Sequence, residues 1–272
     1  MVTTFVWELP VNTAKLLWAE EFNQTEGSAP NPEIWGRNTG DGSSYGIPGW
    51  GNNELQVYTE ANAFINAKGF LEIEAKRISD GSAGDAYYGP AQWTSARLVT
   101  KDKLQVQYGQ IVIKAKVPQG KGLWPAFWML GCRMDEQGWP LAGEIDIMEW
   151  VGKKPLEALG TLHGPGYFGD NGCGGKLIAT KDFSEDWHEF GISWKPDQIS
   201  WQVDGETYFT ATPDSVSPNQ WVFNQPFYFL LNLAVGGNLG GPLDPELPDS
   251  NKLLVEYIRV YEYEGFGQVN VL

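Results

Sequence analysis

At 272 residues the chain is long enough to bury a large core within a single domain. It carries 34 acidic residues against 19 Lys and Arg, a formal net charge of -15. Such a surface repels nucleic acid and anionic membranes, which need clustered cations, and disfavours a polyanionic substrate. Neutral polymers remain as partners. The 13 Trp, 11 Tyr and 13 Phe serve mainly as core, but a flat indole also matches the apolar face of a sugar ring. No run has the roughly 18 apolar residues of a membrane helix. The first ten residues, MVTTFVWELP, lack the basic start and apolar core of a signal peptide. The chain either stays in the cytoplasm or has lost its leader; its composition fits an extracellular protein better.

Along the chain, alternating apolar and polar residues recur while a 3.6-residue period does not. Strands are predicted over 70–75 and 109–117, then over 198–203, which runs into Asp204-Gly205, a two-residue hairpin signal, and on to 206–209. Further strands are expected over 227–234 and 253–261. Segments 38–53, 79–90, 164–175 and 236–251 are rich in Gly, Pro, Asn and Asp and read as loops. No fixed repeat and no linker appears. The expected fold is all-β: a jelly-roll sandwich of two antiparallel sheets forming one domain over 1–272. Cys132 and Cys173 can form one disulfide or none, and they lack metal-site spacing.

The most informative segment is Gly143-Glu144-Ile145-Asp146-Ile147-Met148-Glu149-Trp150. On an ideal strand Glu144 and Asp146 share a face, whereas Glu149, five positions after Glu144, points to the other side. One extra residue absorbed as a β-bulge at Ile147-Met148 would bring all three acids to one face. An acidic solvent-facing strand would need no special cause. The apolar neighbours argue that both faces are largely covered, however, so clustered carboxylates there cost repulsion. Like charges held close also push one pKa up, as a general acid requires.

Glu144-Ile145-Asp146-Ile147-Met148-Glu149 resembles the catalytic signature of glycoside hydrolase family 16 in its bulged, laminarinase-like form. The flanking blocks match in order: 49–56 (GWGNNELQ), 95–98 (SARL), 122–130 (GLWPAFWML), 138–140 (GWP), 163–166 (HGPG), 231–237 (LNLAVGG) and 257–261 (YIRVY). The resemblance implies a jelly-roll with a concave cleft and endo-acting, retaining hydrolysis of β-1,3-glucan. By it, Glu144 is the nucleophile, Glu149 the general acid/base and Asp146 their assistant. Trp124, Trp128, Trp139, His163, Arg97 and Asn52 match positions that bind the sugar chain. A structural Ca²⁺ is expected at Glu21, Gly69 and Glu256, where Glu256 replaces the usual Asp; the chemistry itself needs no cofactor. The protein is expected to act as a monomer on β-glucan. Mixed-linkage β-1,3-1,4-glucan and galactan hydrolysis within the same family are alternatives. A non-catalytic β-glucan-binding module is a further one, disfavoured because all three acids are kept.

Overall fold

A computed structural model describes residues 14–272; the amino-terminal segment read above for a leader lies outside the described residues. Two large sheets face each other across one continuous apolar core. The ten-stranded sheet runs Glu206–Ala211, Gln198–Val203, His188–Lys195, Gly109–Lys116, Ser250–Tyr261, Leu71–Arg77, Trp93–Ser95 and Gln56–Tyr58. Leu16–Glu20 pairs with Ser250–Tyr261, and Ala63–Ile65 with Leu71–Arg77. The nine-stranded sheet runs Cys173–Ile178, Glu157–His163, Glu144–Trp150, Leu123–Gly131, Phe227–Val235, Leu104–Gln107 and Gln268–Val271. Arg97–Val99 also joins Phe227–Val235 and carries Gly36–Asn38 outside it. One pairing departs from the antiparallel expectation: Gln56–Tyr58 runs parallel to Trp93–Ser95.

The alternation seen in sequence is the alternation of burial. In Gly109–Lys116 every second residue is buried, and Ile111, Ile113 and Ala115 enter the core. Phe227–Val235 is buried at every position because it lies inside its sheet with both faces covered. Its Phe227, Phe229, Leu231, Leu233 and Val235 join the inter-sheet core, while Tyr228 and Leu230 pack with Val99 and Leu130 in a separate cluster. The Asp204-Gly205 hairpin has both residues at positive φ, 49° and 80°, as its turn type demands. Segment 164–175 is less of a loop than its composition indicates, since the strand Cys173–Ile178 begins inside it. The two cysteines are free thiols. Cys132 packs in the Val99 cluster and Cys173 against the inter-sheet core.

The bulge is present and lies at Ile147-Met148. Glu144, Asp146 and Glu149 pair with Leu130, Trp128 and Ala126 on one side and with His163, Thr161 and Leu159 on the other. Both neighbours advance two residues where the acidic strand advances three. All three carboxyls therefore leave from one face, and Ile145, Ile147, Met148 and Trp150 are buried in the core. Trp201 of the opposite sheet donates its indole N–H to the Asp146 carbonyl at 2.8 Å, tying the two sheets together beside the bulge. Gly160, in the next strand, leaves room for that indole: a Cβ there would lie 2.1 Å from Trp201 Cδ1. Gly160→Ala should therefore destabilise the protein by about 1–3 kcal/mol. Urea unfolding would show it as a lower midpoint at unchanged slope, and an unchanged midpoint would mean that Trp201 shifts freely.

Candidate active site

The three acids sit side by side on the face of the nine-stranded sheet away from the core. Asp146 is buried, while Glu144 and Glu149 keep part of their surface open. Trp139 donates its indole N–H to Glu144 Oε2 at 2.8 Å, and Trp124 donates to Glu149 Oε1 at 3.1 Å. Each outer carboxyl thus holds one indole donor. His163 lies directly across the ladder from Glu144. Its Nε2 stands 3.1 Å from Asp146 Oδ2 and 3.9 Å from Glu144 Oε1. The 3.1 Å approach is not an aligned hydrogen bond, and Asp146 Oδ2 is left buried without a hydrogen-bond partner, as is His163 Nδ1 on the far side of the ring. Gly172 makes room for the imidazole, since a Cβ there would lie 2.7 Å from His163 Cε1.

Burial is the main force on these groups. It pushes Glu144 up to about 8, with the Asp146 charge adding to the rise and His163 and Trp139 opposing it. Glu149 rises to about 8 from burial first and then from the charges of Asp146 and Glu144. Asp146 rises to about 7 from burial, against a hydrogen bond shared with Glu144. The two outer carboxyls are thus raised alike by the protein, and only their neighbours differ. The first charge settles on Asp146, which lies lowest of the three and takes a hydrogen bond from Glu144. That charge then opposes ionisation of Glu149. One ionised and one protonated carboxyl can therefore coexist near neutral pH.

The other expected contacts fall around this centre. Trp139 is 45% exposed, and its free ring surface is open to a ligand. Trp124 is buried apart from a sliver and serves chiefly as the donor to Glu149. Trp128 is partly buried, with its N–H given to Asn232 Oδ1 at 2.7 Å. The Arg97 guanidinium is stacked between Trp50 at 4.4 Å and Trp128 at 4.8 Å. Asn52 donates to Glu54 Oε1 at 3.2 Å.

Sequence reasoning missed the hub beneath these residues. Glu54 is fully buried and also accepts from Gln56 at 2.6 Å and from the Tyr58 hydroxyl at 3.1 Å; that hydroxyl in turn accepts from Asn232. Burial pushes the Glu54 carboxyl up against the pull of the Arg97 charge. The available signal was Asn232, a polar residue in the middle of an otherwise apolar strand. Trp50 and Phe168 were missed as well; the latter's ring lies 5.4 Å from that of Trp139.

The expected calcium ligands lie on the other sheet and its margins, and their donors do not fit an ion as placed. Both Glu21 oxygens accept from the Arg259 guanidinium, at 2.7 and 2.9 Å, and Glu256 Oε2 lies 2.8 Å from Lys114 Nζ. Two cations of the chain already neutralise these carboxylates, so Ca²⁺ would have to displace both. EDTA should accordingly leave the melting temperature unchanged; a drop of several degrees restored by added Ca²⁺ would show that the ion pairs give way.

The raised carboxyls also fix a pH dependence. A group whose folded pKa lies above its unfolded one loses stability as pH rises from the unfolded value, near 4, through the folded value. Glu149→Gln removes that penalty. It should raise the melting temperature by about 2–6 °C at pH 8, and the gain should vanish at pH 4. Calorimetry at the two pH values tests this, and a variant less stable at pH 8 would mean that the carboxylate is favourably paired.

Residues 51–246 match the family described as Glycosyl hydrolases family 16. The chain is 39% identical to a glucan endo-1,3-beta-glucosidase of Cryptopygus antarcticus, covering 90% of this chain and 91% of the relative. Its fold superposes on the laminarinase catalytic domain from Thermotoga maritima MSB8 with a TM-score of 0.84 and 43% identity, over 92% of this chain and 98% of that one. An endo-beta-1,3-glucanase from Pyrococcus furiosus gives a TM-score of 0.84 and 46% identity, over 92% and 94% of the two chains.

Proposed function

The chain belongs to glycosyl hydrolases family 16, and from that premise we propose that it cuts β-1,3-glucan internally with net retention, using Glu144 as nucleophile and Glu149 as acid/base. The observation that carries this reading is the single-faced cluster of Glu144, Asp146 and Glu149 created by the bulge. Retention needs one carboxylate to attack the anomeric carbon and one carboxylic acid to protonate the departing oxygen. Glu144, held by the Trp139 N–H and next to Asp146, suits the first task. Glu149, whose proton is kept by burial and by the neighbouring charges, suits the second. The same residue then acts as base toward the incoming water, regenerating both starting states.

The rest of the cleft fits a neutral polymer. A surface at -15 offers nothing to an anionic chain, while Trp139 offers a flat apolar face and Arg97 and Asn52 offer polar groups for sugar hydroxyls. Secretion belongs to the same proposal, because a glucan polymer cannot cross a membrane to reach an enzyme inside; action as a monomer is proposed alongside it. No helix among the described residues is long and apolar enough to span one.

The two glutamates are separable by azide. Glu149→Ala still forms the glycosyl-enzyme from a substrate with a good leaving group. Azide then displaces Glu144 from the anomeric carbon and yields a β-glycosyl azide. Glu144→Ala leaves space only on the nucleophile side, so azide attacks there and gives the α-product. Proton NMR of the azides reads the assignment, and inverted outcomes for the two variants would exchange the roles.

A further inference from the structure

At the end of the cleft marked by Arg97, an aromatic path continues past every residue assigned so far. Trp128 stands across the ladder from Asp146. Arg97 stacks on it and on Trp50, and the Tyr45 ring lies 5.1 Å from that of Trp50. Tyr45 is 50% exposed and Ile47 43%, on a loop whose conformation is costly. Gly49 and Trp50 both sit in the left-handed region, at φ 59° and 55°, and Trp50 has no glycine's licence for it. That strain aims the Trp50 ring at Arg97 on one side and Tyr45 on the other.

A second element closes over the same loop. The short hairpin Asp85–Ala86 and Gly89–Pro90 carries Tyr87 and Tyr88 at its turn, both more than a third exposed. It is clamped down at several points. The Tyr87 N–H donates to Asp41 Oδ2 at 2.6 Å and the Tyr88 hydroxyl to the Leu55 carbonyl at 2.6 Å. The Tyr87 ring lies so close to Gly49 that a Cβ there would be 2.9 Å from Tyr87 Cε1. Tyr45 is held as well, its hydroxyl accepting from Asn38 at 3.3 Å. Three tyrosines are thus fixed around the Trp50 loop, which also carries the exposed Ile47, and the loop is contiguous with the catalytic face through Trp50 and Arg97. Folding alone does not favour leaving them exposed.

We propose that Tyr45, Ile47, Tyr87 and Tyr88 form a distal subsite that grips the glucan chain several sugars away from the scissile bond. The occupant is the polymer already lying in the cleft: rings fixed in advance bind a neutral sugar face without a further ordering cost. This inference rests on the glucanase reading above.

The test compares a polymer with a short oligomer. On laminarin, Tyr45→Ala should lower kcat/KM about tenfold, mainly through KM. Hydrolysis of laminaritetraose, too short to bridge cleft and platform, should stay within about twofold of wild type. Tyr45→Phe should keep the polymer rate, because the ring face makes the contact. Ile47→Ser, which removes none of the ring contacts, guards against a local folding defect in Tyr45→Ala and should show the same length-dependent loss. Equal losses on both substrates, or no loss on laminarin in either Tyr45→Ala or Ile47→Ser, would overturn the subsite alone. A wild-type dimer dissociated by Tyr45→Ala in sedimentation would assign the patch to a second copy and overturn it too. Wild-type inactivity on both substrates would overturn the glucanase reading itself.

Discussion

One extra residue in one strand is the constraint from which the site follows. A strand repeats every two residues, so acids at positions 144, 146 and 149 cannot share a face unless the count is broken between the last two. The bulge at Ile147-Met148 breaks it and keeps Ile147 and Met148 both in the core. The irregularity is held from the opposite sheet, where the Trp201 indole takes the Asp146 carbonyl and Gly160 yields the space it occupies. Sheet packing and chemistry are therefore coupled: the residue that links the two layers is bonded to the backbone of the central acid.

The cost of the arrangement is electrostatic. Three carboxyls buried together resist ionisation, and ordinary folding would disperse them. What the molecule gains is a set of groups in which charge on one opposes charge on the next. Indole N–H groups from Trp139 and Trp124 hold the outer carboxyls without bringing a cation that would pull their protons off. The nearby arginine is kept one step away instead: Arg97 is sheathed by two indoles and its charge acts on the buried Glu54. The site can thus stay acidic in character while the cleft presents aromatic and hydrogen-bonding surface to a neutral chain.

Much of this was legible in sequence because it depends on local counting. The alternation in Gly109–Lys116 and the Asp204-Gly205 turn follow from spacing alone, whereas spacing left Glu149 either on the opposite face or brought round by a bulge. What depends on partners distant in the chain was not legible. The parallel pairing of Gln56–Tyr58 with Trp93–Ser95, the separation of Cys132 from Cys173 and the Glu54–Tyr58–Asn232 hub each join residues with no local signal for one another. The calcium ligands show the same limit. Glu21 and Glu256 look like free oxygen donors in sequence, and only the fold brings Arg259 and Lys114 to them. Trp124 and Trp128 were placed on one face by their spacing, yet that spacing could not say that their N–H groups are committed to Glu149 and Asn232.

The central claim is that the bulge makes Glu144 and Glu149 a working pair for retention. The most direct measurement is proton NMR of the wild-type enzyme acting on a laminari-oligosaccharide, recorded before mutarotation equilibrates the anomers. The account predicts that the β-anomer of the newly formed reducing end appears first and the α-anomer grows in only with mutarotation. Release of the α-anomer first would contradict it, because water would then have attacked directly and Glu144 could not have formed a covalent intermediate.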